Sequence, residues 1–168
     1  EIVKEPDPIL RKKSNDVKNV DESLQRLMDN MLETMYRAPG IGLAAPQVGI
    51  LKRVIVIDLA KEDEPKKPLY MINPKILWKS EELISREEGC LSIPGHFAEV
   101  ARPSKCKVQY LDYNGKTQII NADDLLSTCI QHEVDHCDGI LFIDYLSKLK
   151  KDMILKKLIK TKKEKQIL

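Results

Sequence analysis

Apolar side chains recur every three or four residues between Asp21 and Pro39, a spacing that predicts an amphipathic helix. Asp21 suits the N-cap position, and Pro39-Gly40 would end the helix. The apolar positions are Leu24, Leu27, Met28, Met31, Leu32 and Met35. The methionines are interpreted as core residues, because an unbranched thioether fills irregular gaps in a protein interior.

Six short segments after this helix have the composition of β-strands and are separated by turn or loop residues. They span residues 53–58, 69–78, 82–87, 97–102, 105–112 and 116–120. Asn114-Gly115 between the last two predicts a β-hairpin, because this dipeptide tolerates the positive φ angles of a tight turn. The charged segment 61–68 is predicted to be a mobile connection.

The pattern becomes helical again over residues 121–139, where the final glycine can end the helix. One face of this predicted helix carries Leu125, Cys129, His132 and His136. Polar groups on the inner face of a buried helix require a functional reason.

A last helix is predicted from Ser147, with Leu149, Met153 and Leu158 packed inward and its lysines directed to solvent. Residues 148–165 carry nine lysines and two acidic residues, a charge of +7, whereas the 19 basic and 24 acidic residues elsewhere give −5. This asymmetry predicts a polyanionic partner for the C-terminal segment, although a solvated helix face accounts for it equally well.

The composition is that of one globular domain. The 168 residues are 42% hydrophobic and 32% charged, without an internal repeat or a linker, so a single α+β domain over residues 1–168 is predicted, with a basic tail at 148–168. No run of 18 apolar residues occurs, and the charged N-terminal segment does not look like a signal peptide. A cytosolic protein with four reduced cysteines is expected, unless a targeting segment was removed before Glu1.

Residues 132–136 read His-Glu-Val-Asp-His, an HExxH pattern. On a helix, side chains four positions apart lie on one face with Cβ atoms about 6 Å apart, so His132 and His136 can reach one metal ion. Glu133 lies beside that ion, where a carboxylate can take a proton from a water molecule that the ion polarises. The only other histidine, His96, is interpreted as a surface or structural residue.

Two histidines leave a catalytic metal one protein ligand short. The HExxHxxGxxH continuation fails because Phe142 stands where the third histidine would be, and a downstream Glu is available only in the lysine-rich tail, at Glu164. In isolation Cys90 would be interpreted as a buried, unreactive cysteine. Beside an incomplete metal site it becomes the favoured ligand, because Gly89 and Pro94 mark a backbone bend from which a thiolate can reach the helix.

The segment from Gly40 to Gln47 is rich in glycine, but it lacks the lysine of a phosphate-binding loop and the third glycine of a dinucleotide-binding motif. Taken alone it predicts a flexible turn. Its small residues allow a peptide backbone to approach closely, and Gln47 offers a side-chain amide that can donate to a developing oxyanion.

Three motifs, GIGLAAPQ at 40–47, EGCLS at 88–92 and QHEVDH at 131–136, occur in this order and at compatible spacing. Together they make the chain resemble the peptide deformylases of bacteria and organelles over essentially its whole length. The resemblance implies short, mostly antiparallel sheets around a central helix that carries HExxH. It also implies hydrolytic removal of the formyl group from the N-terminal formylmethionine of new proteins, with release of formate.

The same resemblance implies a metal site and four further functional residues. One divalent ion would be held by Cys90, His132 and His136; Fe²⁺ is favoured in vivo, with Zn²⁺, Ni²⁺ or Co²⁺ as alternatives, since a thiolate suits several of these metals. The roles in catalysis would fall to Glu133 as general base and then acid, to the Leu91 backbone N–H and the Gln47 amide at the oxyanion, and to Gly42.

The side chain of the substrate methionine is expected to lie among Ile41, Gly42, Leu125 and Cys129, by the same resemblance. This chain departs from the family pattern nearby. Arg86 and Thr128 stand where many relatives carry an aliphatic residue, so the rim of the pocket is expected to be more polar.

The expected partners are N-formylmethionyl nascent peptides and, through the basic C-terminal helix, the ribosome; neither a membrane nor sequence-specific nucleic acid is expected, and the bacterial cytoplasm is the expected location. Two other functions stay open. One is a small metallopeptidase of the HExxH type, and the other is a ribosome-binding or RNA-binding module with a structural metal. A structural site needs a fourth protein ligand, for which no further Cys or His is well placed.

Overall fold

The computed structural model describes residues 1–167, which contain three α-helices and seven β-strands. The helices are α1 (Glu22–Arg37), α2 (Asp124–Cys137) and α3 (Lys148–Ile167). The strands are β1 (Gly42–Ala44), β2 (Val54–Ile57), β3 (Leu69–Lys79), β4 (Leu83–Cys90), β5 (Ile93–Pro103), β6 (Lys105–Leu111) and β7 (Thr117–Asp123). Within this described part, no helix has the length and apolar character needed to cross a membrane.

The strands form two antiparallel sheets. One has five strands in the order β1-β2-β3-β6-β7, and the other is the β4-β5 pair. The predicted hairpin joins β6 to β7, with Gly115 at φ 83° in its turn. The prediction of a single α+β domain with mostly antiparallel sheets is confirmed.

The five-stranded sheet is covered on both faces, which explains why every residue of β2 is buried. Ile55 and Ile57 pack into a cluster that includes the inner face of α2. Val54 and Val56, which point the opposite way because side chains alternate along a strand, pack with α1. Helix α2 therefore lies inside the molecule, between this sheet and the β4-β5 pair, and it contacts strands of both.

Helix α1 follows its predicted pattern. The Asp21 carboxylate accepts the Leu24 N–H at 2.9 Å and caps the helix. The buried positions are Leu24, Met28, Met31 and Met35, so the methionines are core residues. Leu27 and Leu32 are only partly buried at the edge of the same cluster.

The predicted start of α2 at residue 121 is wrong. Residues 121–123 complete β7 and pair with residues 105–107 of β6, so the helix begins at Asp124. Three polar or small residues carry no clear period of their own, and backbone hydrogen bonds to β6 decide their conformation.

Helix α3 begins where it was predicted, but two of its three predicted packing residues are wrong. Leu149 and Met153 are 72% and 50% exposed, whereas Leu158 is buried. The other contacts come from Ile154 and Leu155, which are partly buried against the same cluster as Leu158. The helix touches the body along a narrow stripe only, and apolar residues outside this stripe face solvent.

Candidate active site and metal centre

The metal-ligand candidates come from two elements that meet inside the molecule. The register of the β4-β5 pair breaks between Gly89 and Cys90, and Cys90 pairs with Ile93 across a tight turn. This break directs the Cys90 side chain to α2, where its Sγ lies 3.3 Å from His136 Nε2. One donor atom each from Cys90, His132 and His136 lies within 4.8 Å of the other two, so the structure brings the three candidates together.

This donor set suits a divalent transition metal. A thiolate and two imidazoles bind Fe²⁺ or Zn²⁺, and three protein ligands leave a position open for water or substrate, as in catalytic sites. The Nδ1 of His132 donates to Glu88 Oε1 at 2.9 Å, which leaves Nε2 for the metal. The residues present therefore fit a metal centre.

A buried charge network behind His132 was missed by the sequence reasoning. Arg102, 3% exposed, donates to both oxygens of Glu88 at 2.7 and 2.9 Å and to Asp135 at 2.8 Å. The Tyr145 hydroxyl also donates to Asp135, at 2.7 Å. Burial raises the pKa of Glu88, but hydrogen bonds from His132 and Arg102 outweigh it, and the pKa lies below its ordinary value. Glu88 is thus held as a carboxylate that orients His132.

The only signal for this network was an acidic residue two positions before the cysteine. Its partner, Arg102, is distant in sequence and comes into place through the register of β4 with β5. Sequence alone offered no reason to choose Arg102 among the basic residues.

Glu133 lies buried beside the metal-ligand candidates. Its Oε1 is 3.9 Å from His132 Nε2, and its Oε2 has no hydrogen-bond partner among the described residues. Burial raises the pKa of Glu133 to about 7, although His132 and Arg102 act to lower it. A Cβ at Gly42 would lie 2.7 Å from Glu133 Oε1, so the carboxylate occupies space that only glycine leaves free.

Gln47 is held in one orientation at the edge of the same site. Its Oε1 accepts the Ala44 N–H at 2.9 Å, which turns Nε2 toward Ser92 Oγ at 3.1 Å and Cys90 Sγ at 3.4 Å. The flexible turn predicted for this segment from its glycines alone is wrong. Residues 42–44 pair with β2, and residues 45–48 form a 3-10 helix of which the first three residues are buried, so this part of the segment has regular backbone structure.

A cavity of about 950 Å³ opens in front of these residues. The predicted substrate-binding residues all line it: Ile41, Gly42, Leu125 and Cys129. Ile41 and Leu125 are partly exposed near its mouth, whereas Cys129 is buried. Leu91 lines it as well.

Arg86 and Thr128, which are expected to make the rim of the pocket more polar, also line this cavity. Arg86 forms an ion pair with Asp124 at the start of α2, and Thr128 lies one turn further along that helix. The wall of the cavity beside α2 is therefore polar as well as apolar.

Comparisons with known proteins identify one family over most of the chain. The family model described as polypeptide deformylase matches residues 1–152. The peptide deformylase of Pelagibacter ubique is 58% identical over 161 residues, which cover 96% of this chain and 94% of that protein. The peptide deformylase of Rhizobium meliloti is 55% identical over 158 residues, which cover 94% and 91%.

Solved structures give the same result. The crystal structure of peptide deformylase from Ehrlichia chaffeensis has a TM-score of 0.93 at 43% identity and covers 100% of this chain and 98% of that one. Peptide deformylase from the same organism in complex with actinonin has a TM-score of 0.91 at 45% identity, covering 96% of both chains. Enzymes of this family are metal-dependent, as the donor set suggests. Sequence, fold and the residues around α2 thus lead to one conclusion: this chain belongs to the peptide deformylase family.

Proposed function

We propose that this enzyme removes the formyl group from the N-terminal formylmethionine of newly synthesised proteins and releases formate. The observation that carries the proposal is the buried Glu133 carboxylate with a free oxygen, next to three metal-ligand candidates at the wall of an open cavity. Family membership supplies the class of substrate. The cavity has the volume of a site that takes a small ligand or a peptide end.

A divalent ion held by Cys90, His132 and His136 would polarise the attacking water and the formyl oxygen. We infer Fe²⁺ as the metal in vivo, with Zn²⁺, Ni²⁺ or Co²⁺ able to replace it, because the mixed sulfur and nitrogen donor set accepts all of them. Metal analysis of protein purified without oxygen, paired with formate release, tests this inference. Active protein that contains zinc and no iron would contradict it.

The chain's own residues account for the proton and charge movements. Glu133 takes a proton from water as the water oxygen bonds to the formyl carbon. The Gln47 Nε2–H and the Leu91 N–H donate to the formyl oxygen as it gains negative charge. Glu133 then delivers its proton to the amine nitrogen while the carbon–nitrogen bond breaks, which leaves formate and a free N-terminal methionine.

In this proposal the methionine side chain would lie in the cavity beside α2. Ile41 and Leu125 would cover it near the mouth and Cys129 would contact it further in, consistent with their exposure. Gly42 would serve twice, by leaving room for Glu133 and by allowing the substrate backbone to approach β1.

Glu133→Gln tests the assignment of the general base. Turnover of a formyl-Met peptide should fall by about 10² to 10⁴, the usual value of a general base, while the metal stays bound. Glu164→Gln, an exposed acid on α3 and the alternative ligand of a peptidase site, is the matched control. Unchanged turnover in Glu133→Gln would exclude this residue as the base.

The same peptide with a free amine separates a deformylase from a metallopeptidase. A deformylase releases formate from the first peptide and leaves the second intact. Cleavage of an internal peptide bond in either one would favour the metallopeptidase. A metal-containing protein that acts on neither would favour the structural-metal module.

We also infer that α3 brings the enzyme to the ribosome in the bacterial cytoplasm, where formylated chains emerge. Eight of the nine lysines in residues 148–165 are exposed. Because Leu158 belongs to the core, the test should replace exposed lysines instead of removing the helix. Lys156, Lys160 and Lys163 changed together to Gln should weaken ribosome co-sedimentation and reduce its salt dependence. Unchanged binding would contradict the inference.

A further inference from the structure

Two residues of the cavity wall beside α2 each have a covered hydrogen-bonding atom without a partner among the described residues. Thr128 is 4% exposed, and its Oγ1 is closed to solvent with no hydrogen-bond partner among the described residues. The Nε atom of Arg86 is also closed to solvent and has no hydrogen-bond partner within residues 1–167, although the guanidinium end of this side chain pairs with Asp124. Both residues line the cavity together with Cys129.

Such atoms favour an occupant that accepts hydrogen bonds. A buried polar group without a partner lowers stability, and pairing it removes that cost. The Arg86 Nε–H only donates, and the Thr128 hydroxyl donates or accepts. In this structure the Thr128 hydroxyl is covered, and it does not bond to the helix backbone. Threonine uses two χ1 rotamers in helices, so a rotation about χ1 is needed to bring the hydroxyl to the cavity. An acceptor atom in the cavity would pair with the Thr128 hydroxyl after this rotation, and with the Arg86 Nε–H once the Arg86 side chain turns toward it.

The proposed function limits what this occupant can be, and the inference rests on that function. The cavity takes the first side chain of a formylated chain, which is methionine or a product of its oxidation. Thr128 precedes His132 by four residues, or about 6 Å along the helix axis, a distance that a methionine side chain spans. The thioether sulfur is a weak acceptor, whereas oxidation converts it into a polar sulfoxide.

We propose that this enzyme also deformylates chains that begin with N-formylmethionine sulfoxide, and that Thr128 and Arg86 determine this specificity by donating to the sulfoxide oxygen. The reaction is the same hydrolysis of the formyl carbon–nitrogen bond, and the sulfoxide leaves unchanged on the product. No oxidant or reductant takes part. An aliphatic residue at either position would leave the sulfoxide oxygen buried with one donor fewer.

The test compares two substrates in the same metal-loaded enzyme: formyl-Met-Ala-Ser and its methionine sulfoxide form. The ratio of their kcat/KM values is the readout, because it cancels differences in active fraction between variants. In the unmodified enzyme the sulfoxide peptide should be used within about tenfold of the thioether peptide. Thr128→Val, which keeps the shape and removes the hydroxyl, should lower the ratio for the sulfoxide about tenfold, as expected for one hydrogen bond.

Two further variants separate the hydroxyl from packing. Thr128→Ser keeps the hydroxyl and should keep the ratio within about twofold. Arg86→Met should lower it about threefold, a smaller effect because the Arg86 guanidinium is already paired with Asp124. Thr161→Val, an exposed position on α3, is the control and should leave both kcat/KM values unchanged.

A ratio that Thr128→Val leaves unchanged overturns the proposal, whatever Arg86→Met does. So does an unmodified enzyme that cleaves the thioether peptide and leaves the sulfoxide peptide intact, in which case the proposed function stands. If the unmodified, metal-loaded enzyme acts on neither peptide, the proposed function and this inference are both overturned. If Thr128→Val does not fold, an unchanged ratio in Arg86→Met overturns the proposal.

Discussion

The position of the Glu133 carboxylate depends on the side chain that Gly42 lacks. A Cβ on Gly42 would lie 2.7 Å from Glu133 Oε1, closer than Cβ contacts occur in proteins, and 3.1 Å from both Cδ and Cγ, which is also tight. The carboxylate would have to move, because strand β1 is held by its pairing with β2. Glycine at this position therefore positions the candidate base without touching the metal ligands.

Gly42→Ala should lower kcat on a formyl-Met peptide by at least about tenfold, because displacements near 1 Å cost that much or more in positioned catalysis. Metal content and Tm, measured on the same sample, should change little. Unaltered kcat would show that Glu133 tolerates the methyl group or does not act as the base.

Glu88 lies directly behind the candidate metal ligand His132. It accepts the His132 Nδ1–H and pairs with Arg102, so Glu88→Gln should reduce metal affinity by about 10 to 100-fold, as for other carboxylates that orient metal-binding histidines. Competition with a chelator of known affinity gives the measurement. Glu99→Gln, exposed on β5, is the control, and equal affinities in the two variants would contradict the role of Glu88.

At the scale of elements, α3 is attached to the body by two kinds of contact. Leu158 packs into the cluster that contains Phe142 and Ile93. At the N-terminal end of the helix, Asp144 is bridged by Arg11 and Lys151. The first contact depends on burial and the second on charge, so they respond to different perturbations.

Leu158→Ala should lower the free energy of unfolding by about 2–3 kcal/mol, because a large side chain leaves a cavity in a packed cluster. Leu149→Ala on the same helix should change it by less than about 0.5 kcal/mol, because this side chain is 72% exposed. Urea unfolding at neutral pH gives both values. Equal effects would mean that α3 packs through a different face.

The contact at Asp144 should depend on pH. Burial raises the pKa of Asp144, but hydrogen bonds from Arg11 and Lys151 outweigh it and hold the pKa below its usual value of 3.8. Its contribution to stability is therefore complete above this value and is lost as the pH falls through the lower folded-state pKa. Asp144→Asn should destabilise the protein by about 1–3 kcal/mol at pH 7 and by less below pH 4.

Urea unfolding of both proteins at a series of pH values tests this expectation. Asp152→Asn, an exposed acid on α3, is the control and should show little difference at any pH. A difference between Asp144→Asn and the unmodified protein that stays constant from pH 7 to pH 3 would contradict the linkage.

At the scale of the whole molecule, the metal-ligand candidates join two parts of the fold. Cys90 belongs to the β4-β5 sheet, and the two histidines belong to α2, which packs on the five-stranded sheet. An ion bound by all three would link these parts in the folded state only. Metal binding should therefore stabilise the whole domain.

Removal of the metal with a chelator should lower Tm as well as abolish activity. At a free metal concentration about 1,000 times Kd, binding adds about 4 kcal/mol, which corresponds to about 8–16 °C in Tm for a domain of this size. Scanning calorimetry with and without added metal measures the shift. Cys90→Ala should remove most of it, and a full shift in that variant would exclude Cys90 as a ligand.

Sequence periodicity was reliable where one face of an element is buried along its whole length. The methionines of α1 follow directly from this periodicity, whereas the hairpin at Gly115 follows from its Asn-Gly dipeptide. Periodicity gave a wrong prediction where contacts are sparse, as for Leu149 on α3. It was also wrong where pairing with another strand overrides local preference, as for residues 121–123.

By itself, the sequence determined the donor chemistry of the site and the spacing of His132 and His136, because a helix places residues four apart on one face whatever surrounds it. Only the tertiary structure decided that Cys90 meets them, that Arg102 supports Glu88, and that Gly42 makes room for Glu133. These contacts join residues distant in the chain. They depend on the register break in β4 and on the packing of two sheets around α2, which local sequence does not encode.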